Sequence, residues 1–241
     1  MKLVEVLDYE ALSLHAAAII ANQVRNKPNS VLGLATGSTP LGCYKELVRQ
    51  HQEEGLDFSQ ITTFNLDEYY GLAPNHRNSY RHYMNHYFFN HINIDKKRTH
   101  IPSGVPQDLI AECRDYDQRA SDIGGMDCQI LGLGSTGHIA FNEPSPSFEP
   151  FTRLVDLDES TIQANGHYFK IENTIPRQAI TVGMRFILNS RAILLLVSSD
   201  KKAQALERTL NGTVDPMVPA SILQLHPNVT VIADKEALSM L

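Results

Sequence analysis

Apolar residues recur at two spacings along this 241-residue chain, and the alternation between them predicts helices and strands in turn. Leu12, His15, Ala16, Ile19, Ile20 and Val24 keep helical spacing and stop at Asn26-Lys-Pro-Asn-Ser, which predicts a first, scaffolding helix. Val31 to Ala35 is a short apolar run entering a glycine turn. Tyr44, Leu47 and Val48 mark a helical face beyond it, with Thr39 suited to the N-cap and Pro40 to the first turn. Ile61 to Leu66 repeats the arrangement as a β-branched strand ending in Asp67 and Glu68, before Gly71. Asn78-Ser79 then opens a helix whose stripe of Tyr80, Tyr83, Met84, Tyr87 and Phe88 reads as core. A turn-rich connection over Pro102–Pro106 leads to a polar surface helix over Leu109–Ile123. Ile130–Leu133 reads as a buried strand, and the runs Ala179–Met184 and Ala192–Val197 predict strands buried on both faces. A helix from Ser198 to Asn211-Gly212 and a late strand, Val229–Ala233, close the pattern. Strands alternating with helices predict a mainly parallel sheet with helices on both faces, a three-layer α/β fold of Rossmann-like topology in one domain over 1–241.

Charge narrows the partners. A formal net charge of −6 with no cluster of Lys and Arg argues against nucleic-acid or anionic-membrane binding and makes a small molecule the default ligand. Cys43, Cys113 and Cys128 are odd in number and widely spaced, which fits neither a disulfide framework nor a zinc site. A charge arrives too early after Met1 for a signal-peptide core, and Ala192–Val197 is too short to cross a bilayer. The expectation is a cytoplasmic protein.

Three stretches carry candidate chemistry. From Cys128 to Pro144 the chain turns abruptly from an apolar strand into a loop with Gly132, Gly134 and Gly137, then His138 and Glu143. An imidazole and a carboxylate just past a parallel strand sit where open α/β sheets bind ligands, although alone they also fit a core histidine and a surface glutamate. Thr36-Gly37-Ser38-Thr39-Pro40 joins strand to helix and offers N–H groups, hydroxyls and a dipole end to a phosphate. Alone it serves equally as a helix cap, and no Lys follows to make a Walker loop. Asp67 and Glu68 are adjacent on an extended segment, so their side chains point to opposite faces and only one can look into a given cleft. His82 and His86 have i,i+4 spacing but lack the glutamate of the helical zinc motif, so no metal is expected. Lys202, read by itself, is a solvated helix lysine.

In this order and spacing, Thr36–Pro40, Asn65-Leu-Asp-Glu-Tyr69 and Gly137-His-Ile-Ala-Phe-Asn-Glu-Pro144 closely resemble the glucosamine-6-phosphate deaminase family, and the resemblance continues through Ala220–His226. The related 6-phosphogluconolactonases share the phosphate turn and a Gly-His loop but lack Phe-Asn-Glu-Pro. The resemblance implies conversion of glucosamine 6-phosphate and water to fructose 6-phosphate and ammonia without a cofactor. It implies Asp67 as the base moving a proton between C2 and C1, His138 as the acid/base that opens the pyranose ring, and Glu143 as the partner of that imidazole. Some relatives add an aspartate where this chain has Thr136. Thr36, Gly37, Ser38, Thr39 and Lys202 are implied to hold the phosphate, with His167 standing where relatives place an arginine. A lid is implied near 155–180. Regulated relatives carry a lysine where Val155 stands, and although Arg153 matches their activator site, the chain stops soon after its last predicted strand; an unregulated form is expected. Oligomeric state is open, since relatives occur as monomers and as larger assemblies. Two rivals are kept: a lactone hydrolase on the same phosphate platform, and a sugar-phosphate sensor without turnover, suggested by Thr136 and His167.

Overall fold

Strand β2 (Val31–Leu34), buried along its whole length, lies inside a seven-stranded sheet in a computed structural model that describes residues 1–165 and 176–241. On one side it pairs with β3 (Thr62–Asn65) and, through it, with β5 (Thr99–His100). On the other side come β6 (Cys128–Gly132), β9 (Ile193–Val197), β10 (Val229–Asp234) and β1 (Lys2–Val6). All these pairings are parallel, so the C-terminal ends of the strands share one edge. Chain order reverses between β2 and β6, which makes that pair the switch point where an open α/β sheet leaves a crevice beyond its strand ends. Crossovers run outward from it in both directions, and since parallel crossovers are as a rule right-handed this puts helices on both faces, the expected three-layer α/β architecture.

The helices begin where the local chemistry permits. α1 (Tyr9–Asn26) is capped by Asp8, which accepts the Ala11 N–H at 2.9 Å; α3 (Tyr80–Tyr87) by Ser79, which accepts from His82 at 3.0 Å; α4 (Leu109–Asp122) by Asp108, which accepts from Ala111 at 3.0 Å. α2 (Leu41–Glu54) departs from the expected cap. Pro40, not Thr39, takes the N-cap position and gives no side-chain bond, which leaves the preceding turn free of capping duty. α1 packs on α2, and α7 (Ala203–Asn211) lies between β9 and β10 in the chain.

A second sheet was not foreseen. β4 (Asp67–Tyr69), β8 (Gln178–Thr181) and β7 (Arg153–Asp156) form a three-stranded antiparallel sheet in the order β4-β8-β7. The apolar run Ala179–Met184 is therefore not one strand of the main sheet. It leaves β8 after Thr181 and enters the short helix α6 (Met184–Leu188), because Val182 bonds to Leu66 and Gly183 packs directly on the Pro150–Phe151 backbone. Likewise the strand expected over Ile61–Leu66 ends at Asn65, and Asp67 begins a strand in the other sheet. Helix α5 (Glu159–Asn165) follows β7. Among the described residues no helix is long and apolar enough to cross a membrane.

After β9 the chain turns through Ser199, whose backbone sits at φ 89 and ψ 144, a region populated almost entirely by glycine. Asp234 holds this turn from the end of β10, accepting from the Ser198 hydroxyl and, at 3.3 Å, from the Ser199 N–H. Ser199→Gly should relieve the strain at the cost of two weak side-chain bonds and extra unfolded-state freedom. A net gain of about 1 kcal/mol is expected, or about 2–4 °C in Tm by calorimetry. An unchanged or lower Tm would show that the side-chain bonds outweigh the strain.

Candidate active site

The C-terminal ends of β2, β6 and β9, together with β4, gather most of the candidate residues. β2 delivers the turn Thr36-Gly37-Ser38-Thr39, with Gly37 at φ 96, a conformation that disfavours any residue with a Cβ. Among the described residues, none of the N–H groups of Thr36, Gly37, Ser38 or Thr39 donates to another group of the chain. Four free donors and three hydroxyls ahead of α2 constitute a nest for an anion.

Asp67 and Glu68 diverge as their alternation requires. Glu68 is buried and bound on all sides: its carboxylate accepts the N–H groups of Tyr69 at 2.9 Å, Tyr80 at 2.7 Å and Arg81 at 2.9 Å. Two of those donors are the first residues of α3, so Glu68 neutralises the dipole end of that helix and fixes its start. Asp67 is only 6% exposed, and its carboxyl makes no hydrogen bond to the described chain. Burial, reinforced by the neighbouring Glu68 charge, pushes Asp67 up to about 8. Burial also lifts Glu68 to about 7 against the pull of its three N–H donors, so Glu68 ionises first and Asp67 holds its proton longer. The tyrosines around this pair were read as core in the sequence. The Tyr80 hydroxyl instead donates to the Tyr69 hydroxyl at 3.4 Å, lies beside the Thr36 side chain and feels the Asp67 charge, and its ring stacks with Phe141 at 6.0 Å. It therefore joins the 36–39 turn, the buried carboxyl and the histidine loop.

The loop after β6 closes on itself through Gly134 N–H to His138 O at 2.9 Å and Gly137 N–H to Gly134 O at 3.0 Å. Gly134 is indispensable for shape, since a Cβ there would lie 2.2 Å from the imidazole of His138. Glu143 Oε2 lies 2.9 Å from His138 Nδ1, and the Thr136 hydroxyl sits 2.9 Å from the same nitrogen while donating to Glu143 at 3.1 Å. Because the Thr136 proton is directed at Glu143, both neighbours of Nδ1 present acceptor oxygens. The proton is assigned to Nδ1, and Nε2 is left as the working nitrogen. Burial would raise Glu143, but hydrogen bonds from His138, Thr161 and Thr136 outweigh it and hold the carboxyl below its ordinary value. Thr161, in α5, donates to the second oxygen of Glu143; nothing local in the sequence pointed to it. Thr181 links the halves, pairing with Asp67 across the small sheet while its hydroxyl accepts the Phe141 N–H at 3.1 Å.

Lys202 follows the strained turn after β9. Burial draws its ammonium below its ordinary pKa, and the Glu143 charge opposes that pull, so the lysine lies within electrostatic reach of the histidine's partner. His167 lies outside the described residues, as does part of the range expected to form a lid. His82 and His86 stack with ring centroids 6.0 Å apart, and among the described residues no third ligating side chain joins them. A cavity of about 640 Å³ between α4, Pro150–Leu154 and α6 holds Arg153, which donates to Asn142 at 3.0 Å, but none of the catalytic candidates.

The family described as glucosamine-6-phosphate isomerases/6-phosphogluconolactonase matches residues 8–232. A glucosamine-6-phosphate deaminase from Clostridium novyi (strain NT) is 52% identical over 241 residues, covering 100% of both chains. Among solved structures, a monomeric glucosamine-6-phosphate deaminase superposes with a TM-score of 0.97 at 49% identity, again covering 100% of each chain. A 6-phosphogluconolactonase from Trypanosoma cruzi reaches a TM-score of 0.79 at 18% identity over 100% of this chain and 96% of that one, a likeness of fold alone. The strand-end site and the end-to-end match agree: the chain belongs to the glucosamine-6-phosphate isomerase/6-phosphogluconolactonase family, among its glucosamine-6-phosphate deaminases.

Proposed function

We propose that this protein converts glucosamine 6-phosphate and water to fructose 6-phosphate and ammonia, with the sugar phosphate held across the ends of β2, β4, β6 and β9. The observation that carries the reading is Asp67, a buried carboxyl with a raised pKa and no hydrogen bond among the described residues, linked through Tyr80 to the anion nest and through Thr181 to the loop of a carboxylate-supported histidine. A protein that only sensed a sugar phosphate would have no use for such a carboxyl. The N–H groups of Thr36, Gly37, Ser38 and Thr39, with Lys202, bind the phosphate and so fix the sugar's carbons against Asp67. His138, through Nε2, moves a proton between the anomeric hydroxyl and the ring oxygen, and the pyranose opens. Ionised Asp67 then takes the C2 proton, and its return to C1 leaves a C2 imine. Water adds to that carbon, ammonia leaves, and the 2-ketose remains. Glu143 and Thr136 keep the imidazole in the productive tautomer throughout. We read residues 1–241 as one domain acting as a monomer in the cytoplasm, supported by the monomeric relative and by three buried, unpaired cysteines.

Incubation with glucosamine 6-phosphate should yield ammonia and fructose 6-phosphate in equal amounts. Turnover of a 6-phosphogluconolactone without ammonia release would replace this reading with lactone hydrolysis, and tight binding without product would replace it with a sensor. The pH dependence is also fixed in sign. Asp67 works ionised, so kcat/KM should fall as pH drops below about 8. Binding of a cationic 2-amino group favours the carboxylate, so the acid limb of kcat should lie at lower pH than that of kcat/KM. A kcat/KM that is flat between about pH 6 and pH 9 would remove Asp67 from the base role.

A further inference from the structure

Three carbonyls of the anion-binding turn are each held by a phenol from a different part of the chain. Tyr44, in α2, donates to Ala35 O at 2.6 Å; Tyr83, in α3, to Gly37 O at 2.6 Å; and Tyr9, the first residue of α1, to Ser38 O at 2.8 Å. The Tyr9 oxygen also accepts the Gly42 N–H at 2.9 Å, which ties the turn to the start of α2. All peptide bonds here are trans, so the C=O of one residue and the N–H of the next point to opposite sides of the chain. Holding the carbonyls of Ala35, Gly37 and Ser38 therefore aims the N–H groups of Thr36, Ser38 and Thr39 the other way, and these donors find no partner among the described residues. A turn with free donors and a glycine at positive φ has many alternative arrangements. An anion binding to it would otherwise have to order it.

We propose that Tyr9 and Tyr83 are positioning residues for phosphate recognition, holding carbonyls of the 35–38 turn outward so that its N–H groups are preset for the ligand. This rests on the reading of that turn as the phosphate site. Tyr9 acts from 29 residues before the carbonyl it holds and is 38% exposed, so its ring contributes little to the core. Tyr44 does the same for Ala35 but is fully buried, so its removal would mix packing with positioning.

The test is Tyr9→Phe, Tyr83→Phe and the double variant, with kcat, KM for glucosamine 6-phosphate, the competitive inhibition constant of inorganic phosphate, and Tm measured for each. Lys202→Ala serves as a reference that removes a direct phosphate contact. Loss of each phenol is expected to raise KM and the phosphate inhibition constant by about threefold to tenfold, the double variant more than either, with kcat within about twofold. A fall in Tm with both constants unchanged would make the phenols merely structural and overturn the proposal. A fall in kcat at unchanged KM would overturn it equally. If Lys202→Ala weakens phosphate inhibition and the tyrosine variants do not, only the positioning role fails. If none of the variants changes it, the turn is not the phosphate site and both readings fall.

Discussion

Asp67→Asn is expected to lower kcat by about 10²- to 10⁴-fold while leaving KM within about threefold, because in the proposed mechanism it removes the proton acceptor and nothing that grips the phosphate. The substitution is nearly isosteric, and the Asp67 carboxyl has no hydrogen bond in the described chain to lose. It should also stabilise the fold. Burial and the Glu68 charge raise Asp67 from its ordinary value to about 8, so the folded state binds this proton more tightly than the unfolded chain. The contribution of the protonated acid is fully present below about pH 4 and is lost as pH rises through 8. Asparagine never ionises, so the variant's advantage should be absent in acid and grow towards pH 8, reaching at least about 1 kcal/mol and a Tm rise of about 2–4 °C. Steady-state kinetics with pH-dependent calorimetry would check both halves. Unaltered turnover would pass the base role elsewhere, and a variant less stable than wild type at pH 8 would mean that Asp67 is not held in an unfavourable ionised state.

What the sequence disclosed here is what is local in the chain. Thr36–Thr39, Asp67, Thr136, His138 and Glu143 are each coded by a strand followed within a few residues by glycine, hydroxyl or carboxylate, and strand ends of a parallel sheet converge whatever the loops between them do. The opposite facing of Asp67 and Glu68 followed from alternation alone, and the structure keeps it. The work of Glu68 did not follow, because its partners are the backbone N–H groups of a helix that starts twelve residues later. Tyr80 was legible only as a helix residue, and Tyr9, ahead of the first helical positions read from the pattern, carried no reading at all: a phenol looks the same in the sequence whether its oxygen meets water or the carbonyl of a distant turn. The small antiparallel sheet escaped for a related reason. Ala179–Met184 is continuous in hydropathy, and only the contact between Gly183 and the Pro150–Phe151 backbone shows that it bends away from the main sheet.

Glu143→Gln is expected to reduce kcat by about 10- to 100-fold, less than loss of the base but more than a surface change could produce. Among the described residues three donors meet this carboxylate: His138 Nδ1 and Thr136 on one oxygen and Thr161 on the other. Glutamine keeps one acceptor oxygen and replaces the other with an NH₂ donor. Its tolerable orientation leaves the oxygen towards His138 and turns the NH₂ to Thr161, whose hydroxyl can rotate to accept. The tautomer of His138 is then preserved, and what is lost is the negative charge that stabilises an imidazolium during ring opening. Exchanging a charge-assisted hydrogen bond for a neutral one is worth about 1–2 kcal/mol, which corresponds to the lower part of that range; any misorientation of the ring adds to it. Thr136→Val offers the contrast, because it removes a neutral partner and leaves the charge, and its effect should be several-fold smaller. If Glu143→Gln leaves kcat where it was, the histidine is oriented through Thr136 alone, and the hydrogen bond from Thr161 to Glu143 secures α5 rather than the imidazole.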